Sequence, residues 1–450
     1  MSIGLNMYMS TENAVKYCTF SNGIRLVCEN KSCYTTTLGC FFPAGAMHER
    51  PEERGSALFL KHLLVRRTTS RNEEELAKAI EEIGARVTTV AARDMFLFYG
   101  TVPSNKTVNF VNIFGDVIMN NVICEQDIAR EKCVILHELT QMEFDKERVV
   151  MDYLPTIAYQ DTELANSIYP ETDVIKKFCK DKLIKFQDRL FKPCNMTIVC
   201  TGPICLQELE TIICRCFMCE SGSDSSLQSF CRETEYRFSG AELRYRDDDH
   251  EVGYVAIGIE GPGSKQRTDH YVLSIAKEIV GCWDMTSSGA QHNAPYIAHA
   301  AYNTSLCYMY KSFYHNFAQS TGIWGCYFVS HKLALEAMAS MLQKEWMRLC
   351  TTITQKEVLR AVNQYKTKEL LLLDDPENHF LDIVRHLLRY GCYIPIHERI
   401  IEYEKITADK VREVSMKYIY DQSPVVIALG RIEILPEYCN IKNAMYLLRY

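Results

Sequence analysis

The chain repeats itself once, at a long distance. The segment beginning Asp181-Lys182-Leu183 and ending Gly202-Pro203-Ile204 matches one beginning Asp409-Lys410-Val411 and ending Gly430-Arg431-Ile432, an offset of 409 − 181 = 228. Each copy reads as a short amphipathic helix, a proline-containing turn and an apolar strand running up to glycine; the strands are residues 196–200 and 425–429. Solenoid repeats have periods of tens of residues, so a single repetition at this spacing means two homologous domains. A chain of 450 residues is also too long for one ordinary core.

The openings of the two halves correspond as well. The first has strand-like runs at 23–28 and 36–42, then Pro43-Ala44-Gly45, then a helical pattern through 58–64. The second has runs at 241–246 and 253–259, then Glu260-Gly261-Pro262-Gly263, then a helix through 271–280. Within the first half, Asn72 and Glu75 form a capping-box pattern. Leu76, Ala79, Ile80 and Ile83 supply a helical apolar stripe, and Gly84 ends it. Residues 86–90 and 95–102 read as a β-hairpin. Strands followed by grouped helices, twice over, predict an α+β fold of two domains arising from internal duplication. Their expected limits are 1–220 and 236–450, joined by a linker at 221–235 whose residues 221–229 are rich in Ser, Gly and Asp.

Composition excludes several classes. A net charge of −7 gives no electrostatic reason to expect nucleic acid as a partner. No uninterrupted apolar run is long enough to cross a bilayer, so no transmembrane span is expected. Twenty cysteines in so long a chain, with no secretory signal peptide, read as free thiols in a reducing compartment. Cys214, Cys216 and Cys219 are unevenly spaced, do not share one helix face, and have no second pair nearby, which argues against a metal knuckle. The N-terminal stretch ahead of Arg25 holds no arginine and only Lys16, so an Arg-rich transit peptide is not visible.

The segment Leu58-Phe59-Leu60-Lys61-His62 carries the chemistry, through what it lacks. It has the shape of an inverted zinc-peptidase motif, H-x-x-E-H, in which two imidazoles on one helix face grip a metal and a glutamate takes a proton from the bound water. Here Leu58 has no lone pair to give. Lys61 is a cation where a base is needed, and its pKa would have to fall by about three units, roughly 4 kcal/mol, for it to accept a proton. His62 alone cannot hold zinc. Glu131 and Glu138, at i and i+7, share a helix face, and Glu138 follows His62 at a separation of 138 − 62 = 76. His137-Glu138 begins an H-E-x-x-H pattern that Gln141 breaks. An ion pair of Lys61 with Glu138 or Glu131 is the expected substitute for the metal.

These residues, with the segments at 20–25, 131–139, 149–154, 345–351 and 434–438, resemble the pitrilysin-like processing peptidases over nearly the whole chain. That family includes the β subunit of the mitochondrial processing peptidase and the core subunits of respiratory complex III. The segment around Trp346 and the C-terminal end are most similar to the core-subunit-I branch. The resemblance implies that the two zinc histidines map to Leu58 and His62, the catalytic glutamate to Lys61, the third zinc ligand to Glu138 and a supporting glutamate to Glu131. Two acidic residues that bind presequence arginines map to Arg148 and Asp152, so Arg148 reverses the charge of the first. A further departure is segment 283–297, which holds only Gly289 where core-subunit relatives are glycine-rich.

The resemblance therefore implies a catalytically inactive structural core subunit without zinc or other cofactor. It would be peripheral to the matrix side of the mitochondrial inner membrane, paired with a core-subunit-II-like homologue and touching cytochrome subunits. The alternative is a processing-peptidase β-like zinc metalloendopeptidase subunit acting on presequences. A peptide-binding pseudoenzyme is a third class, against which Arg148 argues. Elsewhere, His379 and His386 near Asp382 read as helix packing, residues 247–249 as a solvated turn, and the leucine run 370–373 as core.

Overall fold

The computed structural model describes residues 15–217, 235–249, 251–286, 295–317 and 320–446. The strands are β1 (Lys16–Thr19), β2 (Arg25–Asn30), β3 (Thr35–Phe42), β4 (Arg86–Ala91), β5 (Phe96–Pro103), β6 (Thr197–Gly202), β7 (Glu242–Arg246), β8 (Val252–Pro262), β9 (Cys282–Asp284), β10 (Met309–Asn316), β11 (Thr321–His331) and β12 (Val425–Gly430). The helices are α1 (Ser56–Leu63), α2 (Glu73–Glu82), α3 (Thr107–Met119), α4 (Glu125–Phe144), α5 (Lys146–Ala158), α6 (Thr172–Lys176), α7 (Lys180–Leu190) and α8 (Leu206–Phe217). They continue as α9 (Arg267–Val280), α10 (Tyr296–Thr304), α11 (Leu335–Thr351), α12 (Gln355–Asp374), α13 (Pro376–Tyr390), α14 (Ile396–Glu404), α15 (Ala408–Tyr418) and α16 (Tyr438–Ala444).

Two six-stranded sheets form, in the orders β1-β2-β6-β3-β5-β4 and β7-β12-β8-β11-β10-β9. The duplication is visible in their pairing. β2 and β6 run parallel, then β6-β3-β5-β4 alternate. β7 and β12 run parallel, then β12-β8-β11-β10 alternate. The sequence offset survives in three dimensions. The first residues of β6 and β12 are separated by 425 − 197 = 228, and those of α7 and α15 by 408 − 180 = 228. The fold is a duplicated α+β arrangement.

The compact units do not follow the chain halves. One unit takes the residues up to Glu138, those from Ile168 to the end of α8, and Leu372–Tyr393; the other takes Leu139–Ser167, residue 235 through Leu371, and Ile394 onward. The boundaries fall inside α4 and α12, whose first residues are separated by 355 − 125 = 230. The helices that follow them, α5 and α13, are thereby exchanged. In the first unit Phe380, Ile383, Val384, Leu387 and Leu388 of α13 pack on Val27, Phe41, Leu97, Tyr99 and Val199 of the first sheet. In the second unit α5 lies on β8 and β12. Burying one such aliphatic or aromatic side chain stabilises by about 1.5–3 kcal/mol, so each exchanged helix is a substantial part of its unit's core.

Local signals behave as the residues require. The Asn72 N–H donates to Glu75 (3.0 Å), and Gly84 ends the turn after α2 with φ +67°. Residues 247–249 form an exposed turn in which Asp248 meets Arg246. His379 is buried, with Nε2 2.5 Å from Glu29 Oε2, and His386 Nδ1 donates to the Asp382 carbonyl (2.8 Å). Residues 370–373 depart from the expectation: Leu370, Leu371 and Leu372 are 44%, 66% and 52% exposed. The buried stripe of α12 is Val358, Ala361 and Val362, and consecutive leucines span more than one helix face, so they cannot all turn inward. The expected linker residues 221–229 lie outside the described residues, as do 287–294 of the segment that departs from the glycine-rich pattern.

The entry to α1 is built around a buried carboxylate. Glu49 accepts from the N–H groups of Gly55 (2.8 Å) and Ala57 (2.7 Å), and Gly55 sits at φ +89°, a conformation that favours glycine. Burial pushes the Glu49 carboxyl up to about 7, against the pull of those two N–H bonds. The folded chain therefore holds this proton at a pH where an unfolded glutamate has released it. That contribution to stability is complete below the ordinary glutamate range and is lost as pH rises to about 7. Relative to Glu49→Gln, the native chain should lose about 3 kcal/mol of unfolding free energy between about pH 4.5 and about pH 7.5, measured by urea denaturation. A pH-independent difference between the two proteins would contradict this.

Candidate functional site

Helix α1 presents Leu58, Lys61 and His62, and α4 presents Glu131 and Glu138, all within the first unit. The α1 face is set by its sequence: Ala57, Leu58, Phe59, Leu60 and Leu63 are buried, which leaves Lys61 and His62 on the half-open side. On α4, Ile128, Glu131 and Ile135 are buried, while Glu138 is half-buried one further turn along. His137, the other half of the broken H-E-x-x-H pattern, is on the exposed side of α4.

The charges are paired throughout. Lys61 Nζ donates to Glu138 Oε1 at 3.0 Å. His62 Nε2 lies 3.0 Å from Glu138 Oε2, and Nδ1 3.5 Å from Glu131 Oε2. Arg66, in the turn after α1, binds Glu131 Oε1 with one guanidinium nitrogen and Glu73 Oε1 with another, the latter at 2.5 Å. Arg130 approaches the other Glu73 oxygen at 3.8 Å. Three cations thus face three carboxylates around a histidine. Burial, and then the Lys61 ammonium, push the His62 imidazole below its ordinary range, against the upward pull of both glutamates. The ring at neutral pH is therefore uncharged, with Nε2–H donating to Glu138. Burial raises the Glu138 carboxyl, but the hydrogen bonds and charges of Lys61 and His62 outweigh it and hold the group below the usual glutamate value.

This donor set does not fit a catalytic zinc ion. Three protein ligands and an open position are required. Leu58 is 1% exposed and contributes only carbon. An ammonium stands 3.0 Å from the carboxylate that would be the third ligand, and a guanidinium occupies the supporting one. Among the described residues, no group of three or more His, Cys, Asp or Glu is placed to hold a metal ion. The one imidazole is hydrogen-bonded to Glu138 through Nε2 and faces Glu131 across 3.5 Å through Nδ1. The arrangement sets the Lys61 ammonium against Glu138 and the Arg66 guanidinium against Glu131.

Of the residues singled out from sequence, Lys61, His62, Glu131 and Glu138 converge, and Leu58 is buried one turn before His62 on α1. Arg148 and Asp152 lie on α5, in the second unit. The Arg148 N–H is capped by Asp145 (3.1 Å), and Asp152 Oδ2 accepts from Ser167 Oγ (2.5 Å). Arg66 and Glu73 are the participants that sequence reading missed. The available signal was spacing, since Arg66 follows His62 by four and so continues its helix face.

Comparison with known proteins identifies the family. Residues 25–172 match the model of the insulinase peptidases, family M16, and residues 177–365 match the M16 inactive domain. The mitochondrial-processing peptidase subunit beta of Rattus norvegicus is 34% identical over 427 residues, covering 94% of this chain and 86% of the relative. Subunit 1 of the mitochondrial cytochrome b-c1 complex of Mus musculus is 31% identical over 435 residues, covering 95% and 89%. A chain in the structure of complex III2 from Candida albicans shares the fold with a TM-score of 0.84, at 22% identity, over 96% of this chain and 100% of that one. A duplicated α+β chain that matches the family's two domain models in succession, over 25–172 and 177–365, and has relatives at 31–34% identity over nearly its whole length, belongs to the M16 insulinase-type peptidase family.

Proposed function

We propose that this chain is a catalytically inactive M16 homologue acting as a structural core subunit of mitochondrial complex III. It would sit on the matrix side of the inner membrane, beside a core-subunit-II-like partner and the cytochrome subunits. The observation that carries the reading is the Lys61–Glu138 pair: the ammonium is where the family's water-activating glutamate would be, and it ties up the residue that would be the third zinc ligand. Leu58 removes a second ligand. Relatives of the cytochrome b-c1 subunit 1 type, at 31–32% identity over 95% of the chain, supply the assembly. Among the described residues, no helix is long and apolar enough to cross a membrane, which is compatible with a peripheral place.

The second reading is a processing-peptidase β-like subunit, favoured by the 34% identity to that protein. Native gel electrophoresis of mitochondria expressing the tagged chain separates the two. The structural reading expects the tag in the band containing the cytochrome subunits. A tag confined to a heterodimer with a processing-peptidase α-type subunit would overturn it.

A further inference from the structure

The second unit contains a cavity of about 540 Å³, a volume that suits a small ligand. It opens between the first turns of α5, helix α9 and strand β10. Three cations line it, Arg148, Lys277 and Lys311, against two carboxylates, Asp145 and Glu147. Both carboxylates are committed within the wall: Asp145 caps α5 through the Arg148 N–H (3.1 Å), and Glu147 holds Lys311 Nζ at 2.9 Å. Lys277 is half-buried, and its carboxylate neighbour, Glu278 at 3.7 Å, is bound more closely by Lys368. Phe313 and Tyr327 contribute aromatic surface to its wall.

From this arrangement we propose that the cavity is a binding site for a small carboxylate- or phosphate-bearing anion, held by Lys277 and Arg148. A cation half removed from water and left with a shared partner gains most from a ligand that brings its own negative charge. Burial pushes the Lys277 ammonium below the ordinary lysine value, and Glu278 offsets this only in part, in keeping with an under-compensated charge. Arg148 adds a planar, bidentate donor at the same cavity, and carboxylates and phosphates are the anions whose geometry matches it. The site is independent of the Lys61 cluster, which lies in the other unit, and of whether the chain joins a larger assembly.

The test uses the full chain with two probes, citrate and inorganic phosphate, against chloride at matched ionic strength. Binding is read by isothermal titration and by the rate at which Lys277 is acylated by an amine-reactive ester, resolved by mass spectrometry. At least one probe should bind saturably and slow Lys277 acylation at least fivefold, while acylation of the exposed Lys78 is unchanged. Lys277→Met and Arg148→Glu should each weaken binding at least tenfold, with circular dichroism confirming the fold. Citrate alone would identify carboxylates as the ligand class, and phosphate alone would identify phosphates. No saturable binding of either probe, binding that leaves Lys277 acylation unchanged, or binding equal in wild type and both folded variants would overturn the proposal. The acylation readout needs no variant, so misfolding of the variants would not shield the idea.

Discussion

A chain carrying Leu58→His together with Lys61→Glu should bind about one zinc ion, where the parent binds none at the same free metal concentration. The introduced imidazole would lie at i−4 from His62, on the same helix face, and removal of the ammonium frees Glu138. Two imidazoles and one carboxylate then complete a three-ligand set, with the new glutamate beside them. Without metal the variant should be less stable than the parent. Leu58 is 1% exposed, so an imidazole there displaces packed aliphatic carbon, and three glutamates would face one another across α1 and α4. Added zinc should reverse the loss, since a ligand at about a hundred times its dissociation constant stabilises by about 2.7 kcal/mol. The measurements are metal content after gel filtration and melting temperature with and without zinc. A folded double variant that takes up no zinc would mean that the rest of the site is not kept in family geometry.

The second large effect concerns Arg66. Replacing it by methionine should destabilise the first unit by about 3–5 kcal/mol, because Glu131 is 1% exposed and would be left charged, buried and opposed only by the neutral His62. Changing Glu131 to glutamine in the same chain should recover most of that loss. A double-mutant cycle by urea unfolding measures the coupling, which should be at least about 1.5 kcal/mol, as expected of charged groups in direct contact. Additive single effects would show that Arg66 is an ordinary surface cation. The prediction separates two accounts of the cluster. If the cations are there to replace the metal's charge, removing either should strand a carboxylate. The exposed half of the network, Arg130 with Glu73, should matter little, because a pair 64% and 44% exposed is screened by water.

Much of the architecture was legible in the chain. The strand–turn–helix openings, the Asn72 capping box, the stop at Gly84 and the long-range repeat follow from short-range rules, and the structure has them almost in register. Convergence of Lys61, His62, Glu131 and Glu138 followed from helix periodicity together with the family motif. Three things were not legible. The exchange of α5 and α13 between units leaves the repeat period unchanged, and an apolar helix face does not say which of two similar sheets it will cover. Arg66 stands four residues after His62, but it lies beyond the last residue of α1, so that spacing alone did not fix its direction. The leucines at 370–372 read as core by composition, yet a hydrophobic run becomes core only where a facing surface exists.

The cavity in the second unit shows the same limit from another side. Arg148 was read against a family position, as a lost contact for basic presequences. In the structure it lines a basic cavity with Lys277 and Lys311, both far from it along the chain. No local pattern joins these three, because their meeting depends on α5 being packed on β8 and β12.

The central claim is that a lysine ammonium has taken the place of metal and base together. Its most direct test is metal analysis of the purified wild-type chain equilibrated with zinc, followed by incubation with a mitochondrial precursor and its expected processing partner. The account predicts far less than one zinc per chain and no cleavage above the partner alone. About one zinc per chain, with precursor cleavage abolished by a chelator and restored by added metal, would contradict it.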